Sequence, residues 1–289
     1  MFRKYYLFIL LPLFVVIGII GIGLLTHADF TLLNPKGAIS HQEKSLALTA
    51  VFLMLIVVVP VFILAFLIPR RYNESNKKAK YVPEWNRSRL LVFAWWVIPS
   101  VLVFLLGINN WKATHALDPF KPIVSNNRPV RIQVISLQWK WLFIYPEQNI
   151  ATVNYIEFPQ KTPVNFELTS DAPMNSFWIP ALGGQMYSMT GMGTKLHLMA
   201  DNVGEFKGSA AEISGRGFSG MKFVAKAVTH EEFDRWVQKV KQSPKTLSGA
   251  EYEKLAIPSE NNTATFYSSS DEGLYNKIIM KYMSSTSHK

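Results

Sequence analysis

The sequence predicts a membrane-anchored α+β chain: a transmembrane helical hairpin, with an N-terminal signal or anchor helix before it, then an external β-sandwich and C-terminal helices. Three observations carry this expectation. Two long apolar runs contain no ionisable side chain, short alternating runs rich in β-branched and aromatic residues begin near Arg128, and a helical period returns after residue 228.

A bilayer crossing takes about 20 apolar residues at roughly 1.5 Å rise each. The runs Leu7–Leu25, Leu46–Ile68 and Leu90–Ile108 meet that requirement. The first follows Arg3 and Lys4, and residues 1–28 read either as a signal peptide or as an anchor helix, because Thr26-His27-Ala28 is only a mediocre small-residue cleavage site. The second and third runs form the hairpin of a unit spanning 29–127. Neither shows the polar stripe that a helix packed in a soluble core carries.

Residues 70–89 hold seven Lys or Arg against Glu74 and Glu84, half of the chain's formal net charge of +10. The positive-inside bias places this loop in the cytoplasm and everything after residue 110 on the outer side. The basic balance is thereby a topological signal, and a nucleic-acid partner loses its support. Of the 289 residues 49% are hydrophobic and 17% charged, which excludes a disordered chain. Zero cysteines exclude disulfides, iron–sulfur clusters, thiolate zinc sites and thiol nucleophiles.

From Arg128 the pattern predicts strands near Val130–Ser136, Trp139–Tyr145, Val164–Thr169, Ser176–Ile179, Thr194–Met199, Glu205–Ala210 and Lys222–Val228. Short strands at such spacing predict a sandwich of about 100 residues, assigned to 128–228. In the C-terminal extension, 229–289, Thr229 with Glu232 makes a capping box ahead of Phe233, Trp236, Val237 and Val240. Ser248 with Glu251 repeats the device before Tyr252 and Leu255, and Leu274, Ile278 and Tyr282 mark a last amphipathic helix.

Several motifs carry a resemblance that covers nearly the whole chain. They are Asn34-Pro35-Lys36-Gly37, Trp96-Val97-Ile98-Pro99, Trp111-Lys112-Ala113-Thr114-His115-Ala116-Leu117, the run from Gln138 to Glu147, Met174-Asn175-Ser176-Phe177, and the loop from Gly208 to Met221. With them the chain resembles subunit II of the haem–copper respiratory oxidases, in particular the bo-type ubiquinol oxidases. The resemblance implies a cupredoxin-like sandwich in the periplasm of a bacterium, behind a hairpin in the inner membrane.

In the cytochrome c oxidase members, the sandwich holds a binuclear copper centre, CuA. Its ligands are a histidine near the sandwich middle and the loop G-x-C-S-E-x-C-G-x-x-H-x-x-M, because soft thiolates bridge the coppers and imidazoles terminate them. Over the same span this chain reads G-S-A-A-E-I-S-G-R-G-F-S-G-M. Asn175 stands at the first histidine, Ala210 and Ser214 at the cysteines, and Phe218 at the loop histidine, while Glu212 and Met221 are retained. The expectation is a chain with no metal, cofactor or catalytic residue of its own.

The resemblance implies that the electron donor is a membrane quinol and not cytochrome c. Haems and one copper are expected in the partner subunit I, with small membrane subunits III and IV and lipid as further neighbours. This chain then stabilises the catalytic subunit of a proton-pumping ubiquinol oxidase. Two departures from the bo-type pattern stand out. Val92 occupies the place where many relatives carry a glutamate associated with proton entry, which removes support for such a role here, and Ala28 replaces a lipid-modified cysteine.

Two other readings are an oxidase subunit with an unusual copper site and a periplasmic Cu(I) carrier. The carrier would use Met186, Met189 and Met192, with Met174, Met199 and Met221 nearby in sequence. Trp139 and Trp141, part of the aromatic patch leading to CuA in the copper-bearing members, are expected here to serve packing. The six histidines, His27, His41, His115, His197, His230 and His288, show no ligand spacing.

Overall fold

The structure is a computed structural model, and it describes residues 31–73, 76–78 and 88–283. The apolar run Leu7–Leu25, Ala28 and much of the basic loop lie outside the described residues. Two units emerge, one comprising 42–118 and the other the segment before it together with everything from 119 onward.

The first unit is built on α1, Ala38–Arg71, and α2, Arg89–Ala116, the two helices long and apolar enough to cross a membrane. Both extend past the predicted runs at each end. At 34 residues α1 is roughly 50 Å long, more than the hydrocarbon core of a bilayer needs. Phe52, Phe62, Trp95, Trp96 and Phe104 are all exposed. Side chains of this kind require an apolar solvent or a neighbouring subunit.

The second unit is a two-sheet sandwich. Its strands are β1 Val130–Leu137, β2 Lys140–Tyr145, β3 Ile150–Val153, β4 Tyr155–Pro159, β5 Val164–Ser170, β6 Asn175–Trp178, β7 Met186–Ser188, β8 Thr194–Leu198, β9 Gly204–Ala210, β10 Lys222–Val228 and β11 Thr265–Tyr267. One sheet has the order β11-β3-β2-β1-β5-β8 and the other β4-β10-β9-β6-β7. Most pairs are antiparallel, but β1 runs parallel to β5 and β4 parallel to β10.

Strand β2 shows how the layers stack. Trp141, Phe143 and Tyr145 enter the core between the sheets with Phe166, Phe177 and Phe223. Leu142 and Ile144 face the other way, into a second core with Leu247, Tyr252, Leu274 and Ile278 of the C-terminal segment. The helices α3 His230–Lys241, α4 Gly249–Ala256 and α5 Leu274–Met283 pack on this frame.

Both predicted helix starts are found, with one difference. Glu232 returns its carboxylate to the Thr229 N–H at 2.9 Å and completes a capping box. At α4 Ser248 accepts from the Glu251 N–H at 3.4 Å, but Glu251 turns to Lys254 at 3.4 Å. The Gly249 N–H donates instead to Asp271 Oδ2 at 2.7 Å, so a carboxylate from the segment leading into α5 serves that helix end.

The motif Asn34-Pro35-Lys36-Gly37, expected at the edge of the membrane hairpin, is joined to the sandwich. The Lys36 N–H donates to Ala181 O at 2.9 Å, and the Asp201 N–H donates to Lys36 O at 3.0 Å. Ser40 Oγ accepts from the Gly37 N–H at 3.1 Å and donates to Ala181 O at 2.9 Å. A Cβ at Gly37 would lie 2.7 Å from Met199 O and 2.8 Å from Leu182 O. Gly37→Ala is therefore expected to destabilise the sandwich unit by about 1–3 kcal/mol through overpacking against backbone. A lower thermal midpoint of the near-UV circular dichroism signal in detergent checks this, and an unchanged midpoint refutes it.

Candidate functional site

The residues matched to the copper ligands lie at the end of the sandwich where β9 leaves for β10. Ala210 is the last residue of β9, and its N–H donates to Met221 O at 3.0 Å. Met221 is fully buried, and its N–H donates to Phe218 O at 3.0 Å, closing a single 3-10 turn, Phe218–Gly220. Phe218 packs on the central core. The pairing of Phe177 with Ala210, with the Ala211 N–H donating to Ser176 O at 2.9 Å, sets Asn175 beside the start of the loop. Asn175 is 1% exposed, and its Nδ2 donates to Pro173 O at 3.2 Å.

Ser214 meets the β1–β2 turn: Trp139 Nε1 donates to its carbonyl at 3.2 Å. Trp139 has φ 64°, a left-handed backbone that a bulky residue adopts only when its surroundings hold it there. Gly217 lies against the indole, where an added Cβ would come within 2.5 Å of Trp139 Cγ. Arg216 sits over the ring with its guanidinium carbon 5.9 Å from the centroid, and its Nε reaches Glu260 at 2.6 Å. Behind it, Trp141 meets Phe177 edge-on at 5.4 Å. Both tryptophans thus act in packing.

Sequence reasoning missed two polar contributors. Lys140 is 2% exposed, with Nζ donating to Ile257 O at 2.9 Å and to Ser259 Oγ at 2.6 Å. Burial lowers its pKa from the usual lysine value. With Asn154 Nδ2 donating to Asn262 O at 2.9 Å, it fastens the stretch 257–262 as a strap over this end of the sandwich. The polar composition of Ser259–Asn262 was the only signal available.

The second is Asp171, whose side chain is 2% exposed and accepts from Tyr252 Oη at 2.5 Å, Tyr282 Oη at 2.6 Å and Lys281 Nζ at 2.9 Å. Burial acts to raise its pKa, but these three donors outweigh burial and hold it below the ordinary carboxylate value. Nothing in the sequence around Asp171 announces partners so distant along the chain.

An amide, a methyl, a hydroxyl and a phenyl ring at Asn175, Ala210, Ser214 and Phe218 do not fit a binuclear copper centre, which needs bridging thiolates and terminal imidazoles. Among the described residues no group of three or more His, Cys, Asp or Glu side chains is placed to hold a metal. The described histidines have separate partners: His41 with Asp201, His115 with Trp111 O, His197 with Pro119 O and His230 with Thr162. Of the methionines, Met186 packs on the core, whereas Met174 and Met192 are exposed.

Two membrane-length helices, followed in the chain by a two-sheet sandwich, define the class: subunit II of a haem–copper oxidase. Residues 146–228 match the family described as cytochrome C oxidase subunit II, periplasmic domain, and residues 241–285 match the COX aromatic rich motif. The cytochrome bo(3) ubiquinol oxidase subunit 2 of Pseudomonas putida is 52% identical over 270 residues, covering 93% of this chain and 86% of the relative. The ubiquinol oxidase subunit 2 of Acetobacter aceti is 43% identical, over 92% of this chain and 87% of the relative. The quinol oxidase subunit 2 of Bacillus cereus is 39% identical, over 82% of this chain and 81% of the relative. The chain belongs to the ubiquinol oxidase subunit 2 family.

Proposed function

We propose that this chain is the copper-free subunit II of a proton-pumping ubiquinol oxidase in a bacterial inner membrane. Its hairpin spans the membrane, and the sandwich and C-terminal helices lie in the periplasm. The carrying observation is the donor set at Asn175, Ala210, Ser214 and Phe218, which offers neither thiolate nor imidazole. An electron arriving from cytochrome c then has no acceptor in this chain, so ubiquinol supplies the haems of subunit I directly. Oxygen is reduced at the haem–copper centre of that subunit. Subunits III and IV complete the assembly, and this chain contributes stability and contact area, with no catalytic residue of its own.

Oxygen uptake by the complex, purified in mild detergent, is expected with ubiquinol and not with reduced cytochrome c; the opposite preference sinks the reading. A haem and metal inventory of the same preparation separates it from a copper carrier. Such a carrier would purify without haem-bearing partners and with copper on this chain.

A further inference from the structure

We propose that the interior between Asn175 and Trp141, at the copper-loop end of the sandwich, is a built site for ordered water. Four buried polar atoms of this region have no hydrogen-bond partner within the chain: Ser136 Oγ, Trp141 Nε1, Asn175 Oδ1 and Ser214 Oγ. Native interiors leave few such atoms, and those that occur are met by internal water or a ligand.

The atoms converge from separate segments. Ser136 and Trp141 are directly opposed across β1 and β2. Strand alternation turns both toward the core that holds Val134 and Phe143. Asn175 lies on the same face of β6 as Phe177, whose ring meets Trp141. Hydrogen bonds also link the two sides: Ser170 Oγ reaches Ser136 O at 3.4 Å and Ala172 O at 2.7 Å, and Asn175 Nδ2 reaches Pro173 O in the same short loop. Ser214 lies at the same end of the sandwich, its carbonyl accepting from Trp139 Nε1. Ser176, also without a partner, points to the opposite face of β6 and takes no part.

The chemistry of the four atoms selects the ligand. Trp141 Nε1 only donates, Asn175 Oδ1 only accepts, and the serine hydroxyls do either. A cation would need acceptors all round and would meet the indole N–H, whereas an anion would meet the Asn175 carbonyl. Water accepts from Trp141 and donates to Asn175, with a further bond to Ser136 Oγ across the β1–β2 pair. Ser136 and Trp141 are 0% and Asn175 1% exposed, so this water is internal. The strap at 257–262 and the Trp139 turn close the end of the sandwich above it.

This inference rests on the copper-free reading, and the tests separate the two. In a cryo-EM map of the intact complex at a resolution that shows other buried waters, density is expected within hydrogen-bonding distance of both Trp141 Nε1 and Asn175 Oδ1. Ultraviolet resonance Raman, taken as the difference between the unsubstituted complex and Trp141→Phe, is expected to place the Trp141 indole band at its hydrogen-bonded position. Asn175→Leu is expected to shift that band toward the unbonded position. An empty interior, or an unbonded band in the unsubstituted complex, overturns the water site alone. Copper found on this chain by elemental analysis overturns the copper-free reading and the water site with it.

Discussion

Replacing Asn175 and Phe218 by His and Ala210 and Ser214 by Cys, all four together, is expected to give a chain that binds a copper pair. The backbone that would hold such a pair is already closed by the Ala210–Met221 and Met221–Phe218 hydrogen bonds, with the Met221 thioether buried beside it. The four substitutions supply the thiolates and imidazoles that these positions do not carry. Soft thiolates are the indispensable part, so the two histidines without the cysteines are expected to leave no mixed-valence spectrum. Near-infrared absorbance and electron paramagnetic resonance of the copper-loaded chain decide the matter. A quadruple variant that folds and stays colourless would show that Asn175, Ala210, Ser214 and Phe218 have been matched to the wrong positions.

The second large effect is expected at Asp171. Removing its carboxylate takes away the acceptor that the Tyr252 and Tyr282 hydroxyls now share, and it ends the contact with Lys281. Breaking a buried hydrogen-bonded charge costs several kcal/mol. Lys281, with 53% of its side chain exposed, regains water, so Asp171→Ala is expected to cost about 2–4 kcal/mol. The loss should fall on α4 and α5, read as faster protease cleavage after residue 241 while the sandwich stays intact. Asp171→Asn keeps the shape and is expected to lose less. Equal protease resistance of the Ala variant would contradict the assignment.

The pH dependence follows from the same group. Because the folded-state pKa of Asp171 is lowered beneath its ordinary value of 3.8, its contribution is complete at neutral pH. It falls away only as the pH drops below that ordinary value and through the lower folded one. The C-terminal helices are therefore expected to stay docked through mild acid and to be released in strong acid. Asp171→Asn should flatten that acid limb.

Much of the architecture was legible because its physical cause is local. The hairpin helices expose apolar side chains along their length, so Leu46–Ile68 and Leu90–Ile108 needed no tertiary partner to be recognised. Strands such as β9, with one face toward solvent, alternate visibly. Those missed were β3, β4, β7 and β11. All four residues of β3 are buried, because the sheet core covers one face and the C-terminal core the other, and a strand covered on both sides shows no alternation. Strand β11 has three residues and exists by pairing with β3, more than a hundred positions earlier. The Asn34–Gly37 motif precedes the first membrane-length helix in the sequence. Its place against Ala181 and Met199 depends on a fold completed much later in the chain.

By itself the sequence determined the chemistry available to this protein. Thiolates absent from the composition cannot be supplied by folding. Tertiary structure alone decided where charge and polarity come to rest. It brought Asp171 under three donors from the C-terminal helices, pinned a strap on buried Lys140, and set the polar atoms of Trp141 and Asn175 inside the sandwich. The reason is physical: which donors a chain owns is a property of its residues, whereas whether each finds a partner depends on neighbours that only the closed sandwich supplies.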